Sequence, residues 1–153
     1  TRIEMDELPL LEPTLCAVLN ELIPGRGPSL PGAGDLGLGD YVKGRLADSR
    51  AGVVGALAEL DARARALGGE DGFAFLPDEM RSGLLREVAG AHPGFLESLV
   101  FPLYSGYYQH RKVVEALGLE NRPPYPKGYS LEPGDPGLLD PVRDRPRFYR
   151  ETD

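Results

Sequence analysis

Proline is spread unevenly along this chain. Of its 15 prolines, five precede position 41, seven follow position 121, and only three lie in the 81 residues between. Proline lacks a backbone N–H and its ring clashes with the preceding helical turn, so long helices are confined to the middle of the chain. No segment sustains period-2 alternation of apolar and polar residues, which argues against a sheet as the main architecture. The 153 residues suffice for one buried core. These features predict an all-α fold, a small helical bundle of about five or six helices with an extended Pro-rich C-terminal arm. The helical domain spans residues 1–121 with an irregular Gly/Pro loop at 24–39, and the arm spans 122–153 and packs on the body or on a partner.

Apolar spacing locates the helices. Leu15, Val18, Leu19 and Leu22 recur at i, i+3, i+4 and i+7, placing a first helix over residues 13–23. Pro24 and Gly25 end it, and the aperiodic run of glycines and prolines to Gly39 follows. A second helix starts near Asp40, a candidate N-cap. In a third, Val53, Leu57, Leu60, Ala64 and Leu67 form one stripe with Arg63 and Arg65 turned away, and Gly68-Gly69 stops it. A fourth opens at Pro77-Asp78-Glu79, where acids suit a helix N-terminus. Residues 94–108 are the most apolar of all, covering more than one face, which predicts a central helix that Pro102 kinks or splits. A last short helix, around Val113 to Leu117, ends at Gly118.

The arm carries seven of the prolines, six positive and six negative charges, three Tyr and isolated apolar residues such as Leu131, Leu138, Leu139 and Val142. That is richer than a disordered linker, so it is expected to be ordered. The whole chain has 17 Lys plus Arg against 24 Asp plus Glu, a net charge of −7. Such a surface repels phosphate backbones, so nucleic acid and anionic membranes are not expected partners. No apolar run approaches the length needed for membrane insertion. No segment reads as a targeting peptide.

Few residues offer chemistry. One Cys and two His supply too few soft ligands for a zinc or iron–sulfur site. His92 and His110 are candidate bases, but neither has an acid close in sequence to orient it. Cys16, beside the apolar stripe of the first helix, reads as a small buried hydrophobe. The glycines from Gly32 to Gly37 superficially suggest a dinucleotide loop, yet a helix precedes them where that motif requires a strand. They are expected to serve turns with positive φ. Tyr104, Tyr107, Tyr108, Tyr125 and Tyr129 cluster and suit a protein interface, sugar stacking or internal packing. Arg143, Arg145, Arg147 and Arg150 alternate with acids, forming either a solvated strip or a docking strip for an acidic surface. Candidate partner contacts are therefore Phe101, Tyr104, Tyr107, Tyr108, Tyr125, Tyr129, Arg143, Arg145 and Arg147, with no catalytic, cofactor-binding or metal-binding residue assigned. Two other readings stay open: a cofactor-free enzyme or small-molecule binder using Tyr107 and His110, and a stand-alone adaptor.

The run Leu19-Asn20-Glu21-Leu22-Ile23-Pro24-Gly25, the loop through Pro31-Gly32-Ala33 and the helix start Gly39-Asp40-Tyr41-Val42 together resemble the gluconate 2-dehydrogenase subunit 3 family. The Pro77-Asp78-Glu79 helix start, the apolar helix ending in Gly106-Tyr107-Tyr108 and the Pro-rich tail follow in the same order, so the resemblance covers most of the chain. It implies a non-catalytic small subunit of a bacterial oxidoreductase complex. Such a subunit stabilises, and where it carries a twin-arginine signal escorts, a large flavoprotein of the glucose–methanol–choline (GMC) type acting on sugars or polyols. No cofactor is then expected on this chain; FAD sits on the partner, and a cytochrome subunit often takes the electrons. The implied compartment is the periplasm or cell envelope, with the cytoplasm open because no twin-arginine signal is seen. The stretch from Gln109 through Tyr129 departs from the family's pattern, which marks a divergent branch.

Overall fold

The computed structural model describes residues 11–68, 71–123, 127–128 and 130–146. Among them the fold is all-α, and the only pairing of extended backbone is an isolated antiparallel bridge between Arg26 and Leu30. The chain divides into two units, residues 1–121 and 122–153. Among the described residues of the first lie six α-helices: α1 (Glu12–Leu22), α2 (Gly39–Lys43), α3 (Arg50–Ala66), α4 (Asp78–Ala91), α5 (Phe95–Gln109) and α6 (Arg111–Ala116). Short 3₁₀ turns at Gly34–Leu36, Ala47–Ser49 and Phe73–Phe75 join them.

α1, α3 and α4 bury most of the residues that their periodicity marks out. Leu15, Val18 and Leu19 of α1 meet Val53, Leu57, Leu60 and Ala64 of α3, and Leu84, Leu85 and Val88 of α4 close the same core with Phe73 beneath. Burial of side chains of this size contributes about 1.5–3 kcal/mol each relative to exposure. The stripe on α3 stops short of its expected end: Leu67 is the C-cap residue and is exposed, because the helix has already turned away from the core there. Asp40 sits inside the first turn of α2 rather than capping it, and its carboxylate pairs with Lys43 at 2.7 Å.

Polar contacts join helices distant in sequence. Thr14 Oγ1, buried in α1, donates to Asp61 Oδ1 of α3 at 2.9 Å, and the Phe73 amide donates to the same oxygen at 3.0 Å. Arg81 Nε of α4 donates to Glu21 Oε1 at 2.9 Å while Ser82 Oγ donates to Glu21 Oε2 at 2.7 Å. The loop between α1 and α2 needs two of its glycines for close approach rather than for positive φ. A Cβ on Gly34 would lie 2.1 Å from the Cys16 carbonyl oxygen, and one on Gly32 would lie 2.3 Å from Asn20 Oδ1. Gly37, with φ of 68°, is the turn glycine of the set.

Two expectations for residues 94–108 are corrected. α5 runs unbroken through Pro102, whose ring is buried, so the proline does not split the helix. Nor is the helix covered all round. α3 packs against α1, α4 and α5 and is the inner element, whereas α5 packs against α2, α3 and α6 and leaves one face open.

In the second unit, the described residues form a 3₁₀ turn at Pro136–Leu139 and a four-residue helix, α7 (Asp140–Arg143), with Pro141 in its first turn. Leu131, Leu138, Leu139 and Val142 are exposed.

Candidate functional site

The two faces of α5 differ sharply. Gly94, at φ of 86°, starts the helix, and from there Phe95, Leu99, Leu103 and Tyr107 follow at intervals of four and are buried. Val100, Phe101, Tyr104 and Tyr108 lie on the opposite side, and Phe101 is 79% exposed. These four side chains leave large apolar surface in water along one face of the helix. The tyrosines support one another: the rings of Tyr107 and Tyr108 meet edge to face with centroids 5.2 Å apart, and Tyr104 and Tyr108 are tilted at 5.9 Å. Such packing fixes the exposed rings in place, so little side-chain freedom remains to be lost on contact.

Beside this face runs a groove of about 270 Å³. Leu22, Ile23 and Pro24 at the end of α1 form one wall, Arg26 and Leu30 of the following loop a second, and Tyr104, Tyr107 and Tyr108 a third, with Leu117 after α6 closing one end. The loop wall is held twice. The Arg26 amide donates to the Leu30 carbonyl at 2.8 Å, and the Tyr107 hydroxyl donates to the Pro31 carbonyl at 3.0 Å. Burial pushes the Tyr107 phenol above its ordinary value, as does nearby Tyr108, with Arg26 opposing in part.

The structure thus brings Phe101, Tyr104 and Tyr108 onto one open surface. Tyr107 is on the same helix but only 3% exposed, so it supports the groove from beneath instead of presenting its ring. Arg143 and Arg145 are exposed in the second unit, and Arg143 Nη1 donates to Asp140 Oδ1 at 2.7 Å. Tyr125, Tyr129, Arg147 and Arg150 lie outside the described residues. Arg26 was not singled out from sequence; the available signal was a single cation isolated in a Gly/Pro run beside an apolar helix end.

No nucleophile with a base and an oxyanion hole assembles among the described residues. Cys16 is half-buried, and burial together with the Glu12 carboxylate raises its thiol, which keeps it protonated and unreactive. His110 caps α6, its Nδ1 accepting from the Lys112 amide at 3.3 Å, while the Tyr107 hydroxyl is committed to Pro31. His92 does find an acid, Glu59 Oε2, at 2.5 Å, from 33 positions away. A cavity of about 350 Å³ adjoins His92, but its two serines already donate to backbone: Ser49 to Leu46 at 2.6 Å and Ser98 to Gly94 at 2.5 Å. No group of three or more His, Cys, Asp or Glu is placed to hold a metal among the described residues. None of the described helices is long and apolar enough to cross a membrane. In comparisons with protein-family models, curated proteins and solved structures, nothing matches the chain.

Proposed function

We propose that this chain is a non-catalytic subunit that binds and stabilises a larger enzyme through the open face of α5. The observation that carries the reading is Phe101, a large aromatic 79% exposed on a helix whose other face is fully buried. A side chain of that size left in water forgoes about 1.5–3 kcal/mol, which contact with a partner recovers. Val100, Tyr104 and Tyr108 extend the surface around it. The partner class follows from the resemblance of the α1–loop–α2 residues: an FAD-dependent dehydrogenase of the GMC type acting on sugars or polyols, in the periplasm or cell envelope. In this reading, flavin and hydride chemistry belong to the partner, a cytochrome subunit is a further candidate member, and the exposed leucines of the arm add a second contact.

Affinity capture of the tagged chain from its source cells tests this. The expected eluate contains a large protein with the yellow absorbance of flavin and with dye-linked sugar or polyol oxidation. A colourless eluate, or turnover by the isolated chain, overturns the proposal.

A further inference from the structure

We infer that the groove beside α5 receives an acidic, apolar segment of the partner protein, with the Arg26 guanidinium taking a carboxylate and Tyr104, Tyr108 and Leu117 holding the apolar side chains next to it. This deepens the partner-subunit reading and rests on it. Among the described residues, Arg26 is the single charged one in the lining. Five other arginines of the helical unit are occupied, Arg63 with Glu59, Arg65 with Asp61, Arg81 with Glu21, Arg111 with Glu115 and Arg45 over the Tyr41 ring, whereas Arg50 Nε has no hydrogen-bond partner but lies outside the groove lining. No hydrogen bond or ion pair engages the exposed Arg26 side chain among the described residues. Its backbone is meanwhile pinned by the bridge to Leu30, so the guanidinium projects from a fixed point beside apolar walls.

Charge decides which occupant fits. A guanidinium pairs directionally with a carboxylate, and the tyrosine and aliphatic side chains that share the lining with Arg26 suit apolar groups next to that carboxylate. The chain as a whole carries −7, so its general field disfavours acids. An acidic residue is therefore accepted only where this local cation meets it, which sets register and selectivity more than raw affinity. One cation among apolar walls matches one carboxylate with apolar neighbours; a polyacidic segment would leave charges unpaired.

A display library of random peptides, panned on the full chain and on Arg26→Gln and Arg26→Glu variants, reads this directly. Arg26 is exposed, so neither change disturbs the core. The wild-type chain is expected to enrich peptides with one Asp or Glu beside Leu, Ile or Phe. Arg26→Gln keeps the apolar preference, loses the acidic one and binds the selected peptides about tenfold more weakly, while Arg26→Glu selects Lys or Arg instead. Enrichment without acidic bias, no enrichment, or an acidic bias that survives Arg26→Gln overturns the inference. So does self-association of the chain abolished by Tyr104→Ser, which would assign the groove to a second copy. The flavoprotein capture has a separate readout, so failure of this inference is distinguishable from failure of the wider reading.

Discussion

The Tyr107 hydroxyl donates to the Pro31 carbonyl at 3.0 Å, joining positions 76 residues apart. Through this bond the buried face of α5 holds down the loop that walls the groove on its other face. Structural and exposed roles therefore alternate along one helix, with Tyr107 supporting from within and Tyr104 and Tyr108 facing out.

Replacing Tyr107 by Phe keeps the ring and removes only the donor. The cost is expected to be about 1 kcal/mol in urea unfolding, with faster amide exchange in the loop around Pro31. Unchanged stability and unchanged exchange would mean the bond holds nothing.

Asp61 joins α1, α3 and the Phe73 turn, accepting from Thr14, from the Phe73 amide and from Arg65. Asp61→Ala strands the first two donors and should cost about 2–3 kcal/mol, whereas Thr14→Val, which leaves the carboxylate two partners, should cost about 1 kcal/mol. Equal losses in chemical denaturation would contradict this ordering.

Two glycines make an opposed pair. Gly34→Ala drives a methyl into the Cys16 carbonyl of α1 and is expected to destabilise by about 1–3 kcal/mol. Gly55, exposed in the middle of α3 with nothing near its missing Cβ, should stabilise by about 0.5–1 kcal/mol as Ala. Thermal melts of the two variants must move in opposite directions.

Glu59 gives a pH signature. The hydrogen bond from His92, then that from Arg63, hold its carboxyl below the ordinary value of 4.5. A carboxylate whose folded pKa is depressed contributes stability that is complete above the unfolded value and is lost as pH falls through the folded one. Glu59→Gln should therefore flatten the decline in stability below about pH 4.5 and leave a stability offset above it. A variant with the same acid slope as the wild type would contradict the assignment.

Local signals in the sequence locate α1, α3 and α4 because each repeats apolar residues at helical spacing and is bounded by Pro or Gly. Contacts between distant positions carry no such signal. His92 meets Glu59 across 33 positions, so neither residue advertises the other. Leu67 matches its stripe by spacing, but the helix ends there and only the tertiary path decides that it is exposed. Residues 94–108 misled in a more informative way. Apolar side chains all round a helix are consistent with a buried element and equally with one that buries half and presents half; Phe101 separates the two only when its surroundings are known.

If a partner docks on the open face of α5, Phe101→Ser removes its most exposed aromatic. The substitution removes an apolar ring without touching the core, so the melting temperature of the isolated chain should be unchanged or slightly raised. In capture from source cells the variant is expected to lose the flavin-coloured partner that the wild-type chain retains. Full retention of that partner by a folded Phe101→Ser chain would contradict the account.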